Sequence, residues 1–505
     1  MELSDAKHMK AADAEAIEGR GIDSLRLMEK AASYVADAAS SFLRDNKTAV
    51  LFCGPGNNGG DGAAAARILM KKYGASVRAF LVGKRERMTA DSKAMEQALN
   101  EAGGSLEDYE SGSESLAQLV KHADVLVDAL FGVGLSRDLA GDPLEAVRLM
   151  NASGKPVVSA DIASGVSADT GRVLGDAVKA ACTVTFSRAK PGHFAEPGIV
   201  YRGELIIADI GIPEDLVNTS GCGVFAIHGE DLHLPARDRL SHKGDHGKLL
   251  VIGGSVGYTG APSLCARAAV RAGAGLVYLG VPADIYEITA VKNDEAMPFP
   301  LKSNDCGGVS DEAFDAIGER LVGSDVCVIG PGLGRGDDTL SVVRKVISRA
   351  QCPIVLDADA LWAVSADPTV LKSASNLLIL TPHEGEFARL LGRPVHDRME
   401  DAAAFSKGHD CCVILKGHRT ICSFPDGRAY IIDAGNPGMA KGGTGDVLAG
   451  VIGAMLGQLS PVRAIVTACW LHARAGDLAA ERLGEYAMKA TDVIDCLYLA
   501  QREIS

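Results

Sequence analysis

The stretch Gly435–Gly450, GNPGMAKGGTGDVLAG, constrains the fold of this chain more than any other. An apolar strand-like run, Ala429–Ile432, precedes it, and Val447–Leu456 follows with apolar residues at helical spacing. Glycines tolerate φ > 0 and let the backbone come close to a ligand. A glycine loop that opens into a helix aims free N–H groups, and about half an elementary positive charge, at whatever lies above it. Phosphate answers that description. Asp446 stands at the mouth of the helix and has two readings: an N-terminal cap, or a base beside a phosphate. In isolation the cap is the better reading; the loops found elsewhere in the chain reverse the preference.

At 505 residues the chain has room for roughly two to four domains. Its 47% hydrophobic and 23% charged content is that of an ordinary globular protein with ample core. A net charge of −14 argues against nucleic-acid binding and against an anionic membrane surface. The cysteines fall singly apart from Cys411-Cys412, without C-x-x-C or Cys/His metal spacing, so a reducing compartment is expected and a zinc site is not. The N-terminal MELSDAKHMKAADAEAIEG has no apolar leader core, and no apolar run approaches the roughly 20 residues of a membrane span. These features predict a soluble, cytoplasmic protein.

Apolar spacing predicts two helices within residues 5–44, broken near Gly19 and Gly21. Strand-like runs follow at Thr48–Cys53, Val77–Val82, Asp124–Leu130, Val157–Ile162, Cys182–Phe186 and Ile199–Ile207, alternating with helical stretches. That alternation predicts an α/β fold with a mostly parallel, doubly wound, Rossmann-like sheet over residues 1–220. The polar, turn-rich IGIPEDLVNTSGCG, Ile210–Gly223, marks the boundary. A second α/β series fills residues 225–505. Its strands are Lys248–Gly253, Leu276–Val281, Val326–Ile329, Ile354–Asp357, Leu377–Leu380 and Cys411–Leu415, with a hairpin of Ile421–Phe424 and Ala429–Ile432. Helices are expected from Pro262 to Arg271, from Pro461 to Leu483 and from Asp492 to Arg502.

In the first half, three polar loops follow three strands: Asn57-Asn58-Gly59-Gly60-Asp61, Asp128 through Gly134, and Asp161 through Ser164. Parallel strands gather such loops on one edge, where doubly wound sheets bind ligands. The carboxamides, carboxylates and N–H groups suit a sugar–phosphate ligand. Oxygens of Asn58, Asp128 and Ser164 could also hold a hard cation. The plainer reading is that Asn-Gly and Asp-Gly only make turns; three loops at strand ends weigh against it.

GPGNNGGDG, VDALFGVGL and DIASGVSADTG resemble the epimerase domain of the NAD(P)H-hydrate repair proteins, over residues 5–215. The resemblance implies interconversion of the R and S epimers of hydrated NADH and NADPH (NADHX and NADPHX) at nicotinamide C6. It implies substrate contacts from Asn57, Asn58, Gly59, Gly60, Asp61, Gly132, Val133, Gly134, Leu135, Ser136, Arg137, Asp138 and Asp161, and potassium (K⁺) on Asn58, Asp128 and Ser164. Asp161 is the expected acid–base group. Val133 stands where the family often has threonine.

In the second half the glycine loop gains company. Gly330-Pro331-Gly332-Leu333-Gly334, Thr381-Pro382-His383-Glu384-Gly385-Glu386 and Lys416-Gly417-His418-Arg419-Thr420 each follow a strand. A lysine opposite a glycine loop is a reasonable phosphate site. None of this is a Walker A loop. His383 alone could be a satisfied core histidine. Together with SVGYTGAP and LDADAL, these motifs resemble the ADP- or ATP-dependent NAD(P)H-hydrate dehydratases of the ribokinase-like α/β/α fold, over residues 225–503. The resemblance implies hydrate contacts from Ala261, Gly332, Gly334, His383 and Asp446. It implies nucleotide contacts from Lys416, Gly417, His418, Arg419, Thr420, Asn436, Gly442, Gly443, Thr444 and Gly445, with Mg²⁺ and ADP or ATP as co-substrate. Asp446 is the expected base. Glu384 stands where proline is common in the family. The family also implies a homo-oligomer.

Both halves thus point to a bifunctional repair enzyme. The alternatives are a ribokinase-like vitamin or sugar kinase, and a first domain kept only as a binding module.

Overall fold

The computed structural model describes residues 1–505, which form two compact units, residues 2–224 and residues 225–505 with Met1. No helix is long and apolar enough to cross a membrane.

The first unit runs α1 (Ala6–Ala14), α2 (Ser24–Ser40), β1 (Thr48–Cys53), α3 (Asn57–Tyr73), β2 (Ser76–Leu81), α4 (Ala90–Glu101), β3 (Leu106–Asp108), α5 (Glu114–His122), β4 (Val125–Ala129), α6 (Asp142–Ala152), β5 (Val157–Ala160), β6 (Cys182–Phe186), β7 (Glu204–Ala208) and α7 (Glu214–Thr219). The sheet order is β3-β2-β1-β4-β5-β6-β7, and every pairing is parallel. The order reverses between β1 and β4, and a crevice opens at such a switch point. Because side chains alternate along a strand, Leu51 and Cys53 enter one apolar core while Val50 and Phe52 enter the other. Helices therefore cover both faces.

Three boundaries differ from the sequence reading. Asn57–Gly62 is not a loop: α3 begins at Asn57. The run Ile199–Ile207 holds a short turn and then β7, which starts only at Glu204. The stretch Ile210–Gly223 contains the six-residue α7.

The second unit runs β8 (Val224–Ile227), β9 (Lys248–Ile252), α8 (Gly260–Arg271), β10 (Leu276–Pro282), α9 (Tyr286–Lys292), β11 (Met297–Leu301), α10 (Phe314–Val322), β12 (Val326–Ile329), α11 (Asp337–Arg349), β13 (Ile354–Leu356), α12 (Asp359–Ser365), β14 (Leu378–Leu380), α13 (Glu384–Leu391), α14 (Arg398–His409), β15 (Cys412–Leu415), β16 (Ile421–Ser423), β17 (Ala429–Ile432), α15 (Thr444–Leu456), α16 (Pro461–Leu483) and α17 (Ala490–Glu503). Its sheet order is β11-β10-β9-β12-β13-β14-β15-β16-β17-β8. Strands β9 to β15 pair in parallel; β15–β16 and β16–β17 are antiparallel. Two reversals return β17 to the direction of β15, so the loop Gly435–Gly443 leaves the same sheet edge as the loops after β9, β12, β14 and β15. Leu249 and Val251 face one core, and Leu250 and Ile252 the other.

Candidate active sites

In the first unit the turn from β1 into α3 is so tight that a Cβ on Gly59 would lie 1.7 Å from the Gly54 carbonyl oxygen, so only glycine fits. Starting the helix at Asn57 puts Asn57, Asn58 and Asp61 on one face, three and four residues apart. Asn57 accepts a hydrogen bond from Thr89 (2.7 Å). Asn58 Nδ2 is buried without a partner. A Cβ on Gly132 would sit 2.8 Å from Asp161 Oδ2 and 3.3 Å from Asn58 Oδ1, so the ends of β1, β4 and β5 converge there.

Asp128 is buried and pins two loops: it accepts from Ser159 Oγ and the Ser164 N–H (both 2.8 Å) and from the Leu130 N–H (3.2 Å). Burial raises its carboxyl despite those bonds. Ser164 Oγ accepts from the Phe131 N–H at 3.0 Å.

Asp161 has φ +68°, a strained value for a residue with a side chain. Its Oδ1 meets Lys190 Nζ at 2.6 Å, and its Oδ2 accepts the Val133 N–H at 3.2 Å. Val133 therefore reaches the site through its backbone. Burial works against ionisation of Asp161, yet Lys190 and these hydrogen bonds hold it below its ordinary value. Lys190 is only 1% exposed, and its three N–H donors go to Asp161, Thr185 Oγ1 (2.7 Å) and the Phe186 carbonyl (3.3 Å). His193 Nδ1 accepts the Lys190 N–H (3.0 Å), so its proton sits on Nε2 and is donated to the Asp161 carbonyl (3.0 Å). Burial and Lys190 push this histidine down to about 3, so it is neutral.

Asp61 is 7% exposed and makes no hydrogen bond or ion pair; burial, then Asp161 and Asp13, push it well up. Half-buried Asp13 is raised to about 6 by burial, with Lys190 opposing and Asp161 reinforcing. The cleft thus favours the ionised form of Asp161 and pushes Asp61 toward its protonated form. Gly134, Ser136, Arg137 and Asp138 are exposed, and Leu135 is half-buried. Sequence reasoning missed Lys190, Thr185, His193 and Asp13. The segment Lys190–His193, a lysine before Pro-Gly just after a strand, was the available signal.

In the second unit α15 begins behind Gly443, whose φ is +98°, and no side chain caps the helix. Asp446 is the third helical residue and makes no hydrogen bond, which excludes the cap reading. Burial, then Asp357, raises its carboxyl to about 7, with Lys416 opposing. Lys416 Nζ stands 3.0 Å from Asp357 Oδ1, 3.8 Å from Glu386 Oε2, and 3.3 Å from where a Gly445 Cβ would be. Burial opposes its charge, but Asp357 and Glu386 hold Lys416 above its ordinary value. Asp357 is buried and also accepts from Thr381 Oγ1 (2.7 Å).

His383 and Lys416 are joined by a parallel backbone bridge. The exposed His383 ring caps α13: Nδ1 accepts the N–H groups of Gly385 (3.1 Å) and Glu386 (3.2 Å), while Glu386 accepts the His383 N–H (2.9 Å). A Cβ on Gly332 would lie 3.2 Å from Ala261 Cβ, so the loops after β9 and β12 meet; the Gly334 N–H is donated to Asp359 (2.9 Å).

The side chains of the glycine loop hold the loop itself. Asn436 bonds the Gly438 N–H (3.0 Å) and Asp477 (2.8 Å). Thr444 Oγ1 donates to the carbonyls of Met439 and Lys441, and Lys441 to those of Glu485, Tyr486 and Met488. The N–H groups of Gly442 and Gly443 have no backbone partner, so they remain for a ligand. Buried His472, pushed down to about 4 by burial, is neutral and donates to the Thr444 carbonyl (2.9 Å). Arg419 pairs with Asp433 (2.9 Å), Gly417 and His418 are exposed, and Thr420 is half-buried with its carbonyl on the Ile432 N–H. Sequence reasoning gave no role to Asp357, Glu386 or His472.

Two sheet edges at strand-order switch points, one gathering Asp61, Asp161 and Lys190 and the other Asp446, Lys416 and the glycine loop, make this a two-domain α/β protein with a candidate site in each unit. Comparison with known proteins names the class. Residues 24–192 match the model of the YjeF-related protein N-terminus, and residues 249–498 that of NAD(P)H-hydrate dehydratase. The bifunctional NAD(P)H-hydrate repair enzyme of Moorella thermoacetica is 40% identical over 516 residues, covering 100% of this chain and 97% of that protein. That of Thermofilum pendens is 38% identical over 510 residues, with the same coverages. A ribokinase-like superfamily protein from Enterococcus faecalis V583 covers 56% of this chain and 97% of its own, at 26% identity and a TM-score of 0.51. The chain belongs to the bifunctional NAD(P)H-hydrate repair enzymes. Full-length relatives that match both units leave the kinase alternative without support.

Proposed function

We propose that this chain repairs hydrated nicotinamide cofactors, with residues 1–220 interconverting the R and S epimers of NADHX and NADPHX and residues 225–505 dehydrating the S epimer at the expense of ADP or ATP. The observation that carries the second step is Asp446: an unbonded carboxyl raised to about 7, beside Lys416 and the free N–H groups of the glycine loop. Such a group is a general base suited to neutral pH.

Asp446 takes the proton of the C6 hydroxyl, and that oxygen attacks the terminal phosphorus of the nucleotide as the bond to the bridging oxygen breaks and AMP (from ADP) or ADP (from ATP) leaves. The amides of Gly442–Gly445 receive the developing charge. The ring nitrogen then expels phosphate from C6, and loss of the C5 proton restores the dihydronicotinamide. Ala261, Gly332, Gly334 and His383 line the hydrate side. Lys416–Thr420 and Asn436–Gly445 line the nucleotide side. A Mg²⁺ ion fits: Asp357 and Glu386 are hard oxygen donors, and Mg²⁺ usually combines one or two carboxylates with substrate phosphates. When bound, it supplies charge neutralisation on those phosphates.

In the first unit, the Asp161 carboxylate takes the C6 hydroxyl proton as the N1–C6 bond opens, and Asp61, which burial pushes toward its protonated form, delivers a proton to N1. Rotation and reclosure on the other carbonyl face return both protons and give the other epimer. The loops Asn57–Asp61 and Gly132–Asp138 hold the substrate. K⁺ fits the donor chemistry of Asn58, Asp128 and Ser164: the Asn58 carboxamide has a buried nitrogen without a partner and, turned end for end, would offer an oxygen, and Asp128 and Ser164 carry hard oxygen donors. It would supply a fixed positive charge to the loops. The protein is read as a cytoplasmic homo-oligomer, which its mass in solution tests.

Asp446→Asn tests the dehydration step. Given S-NADHX, Mg²⁺ and either nucleotide, the variant should release neither inorganic phosphate nor dihydronicotinamide. A wild-type reaction that accumulates a phosphorylated product without restoring dihydronicotinamide would return the chain to the kinases.

A further inference from the structure

We propose that α1 is a wall of the epimerase cleft and that Lys10 binds a phosphate group of the dinucleotide there; this rests on the epimerase reading above. The substrate is at least a dianion through its pyrophosphate, and NADPHX adds a 2′-phosphate. The cleft, by contrast, is rich in carboxyls: Asp13, Asp61, Asp128, Asp138 and Asp161. Its buried lysine, Lys190, has all three donors engaged. A phosphate entering beside the Gly132–Asp138 loop therefore finds few cations in the cleft: Arg137 on the loop itself and whatever the neighbouring elements supply.

Lys10 is placed to supply one. Its Nζ lies 3.9 Å from where a Cβ on Gly134 would be, and this exposed ammonium makes no hydrogen bond or ion pair. Asp13, one turn further along α1, lies on the same face. Its charge is felt by Lys190, Asp161 and Asp61, so that face looks into the cleft. The helix is held there by more than one contact. Asp5 caps it at the His8 N–H (2.8 Å), the Ala6 N–H is donated to Asp169 (2.7 Å), and Met9 and Ala12 are buried in the apolar core. The matched family segment begins at residue 24, so α1 lies ahead of it. Arg137, exposed and unpaired on the loop itself, offers a second cation. A lysine ammonium is a point charge on a flexible stem, suited to a phosphate at an open rim.

The test is epimerisation kinetics of the full chain, with the R and S forms separated by chromatography, for wild type, Lys10→Ala, Lys10→Glu and Lys10→Arg. Lys10→Ala should raise KM about tenfold, as expected for one charge-assisted contact to phosphate, and leave kcat within about twofold. Lys10→Glu should raise it further, Lys10→Arg should stay near wild type, and Lys10→Ala should lose part of the salt dependence. Equal losses on NADHX and NADPHX assign the contact to the pyrophosphate; a loss confined to NADPHX assigns it to the 2′-phosphate. Unchanged KM on both substrates, or a fall in kcat alone, overturns the proposal. A wild-type protein that does not epimerise sinks the parent reading instead. Dehydratase activity in the same preparations reports that the variants are folded.

Discussion

Asp446 and Asp161 are both aspartates beside a lysine, and their surroundings drive them apart. Asp446 makes no hydrogen bond, and burial with Asp357 raises it to about 7. Asp161 is buried too, but Lys190 at 2.6 Å holds it low. For Asp446 the folded state favours the protonated form, so its contribution to stability is full below the unfolded value near 3.8 and is lost as pH rises through about 7. Asp446→Asn should therefore raise the melting temperature at pH 8 and leave it unchanged at pH 4. The gain at pH 8 should be about 1–2 kcal/mol after allowance for partial exposure. The wild-type dehydratase kcat/KM should fall roughly tenfold per pH unit below about pH 7, and the variant should lose about 10²–10⁴-fold in rate. For Asp161 the sign is opposite: its contribution is present above 3.8 and lost as pH falls through its folded value. Lys190→Met leaves that buried carboxylate unpaired, which should cost about 3–5 kcal/mol in chemical denaturation and abolish epimerisation.

At the scale of elements, the turn from the glycine loop into α15 decides whether the phosphate site exists. Gly443 has φ +98°, and a Cβ there would come within 2.7 Å of Leu264 Cδ1. Gly443→Ala should cost roughly 1–3 kcal/mol and weaken nucleotide binding at least tenfold in calorimetry, while epimerisation is retained. Such loops were legible in the sequence because their chemistry is local: glycines between a strand and a helix state both the turn and the approach of a ligand. The start of α3 was not. Asn57–Gly62 is made of poor helix formers, and its helicity comes from packing on the ends of β1 and β4, which a propensity reading does not see. The three-residue β3 is too short to announce itself, and Pro197 and Gly203 delay β7 beyond its apolar start. Lys190 and Asp13 escaped for a similar reason. Each is far along the chain from Asp61 and Asp161, and only the fold brings them together.

At the scale of the whole molecule, two compact units, each with its own sheet and its own pair of apolar cores, carry one candidate site each. The two activities should therefore be lost independently. Asp161→Asn should leave dehydration of S-NADHX at the wild-type rate, and Asp446→Asn should leave epimerisation intact; separate assays of each variant check this. The most direct test gives the purified wild-type protein a mixture of R- and S-NADHX with Mg²⁺ and K⁺, in parallel with ADP and ATP. The return of dihydronicotinamide absorbance in the near ultraviolet is then followed. Complete recovery is the predicted result, since the first site keeps supplying the epimer that the second consumes. Recovery that halts when the S form is exhausted would contradict an active first unit, and no recovery with either nucleotide would contradict the repair function itself.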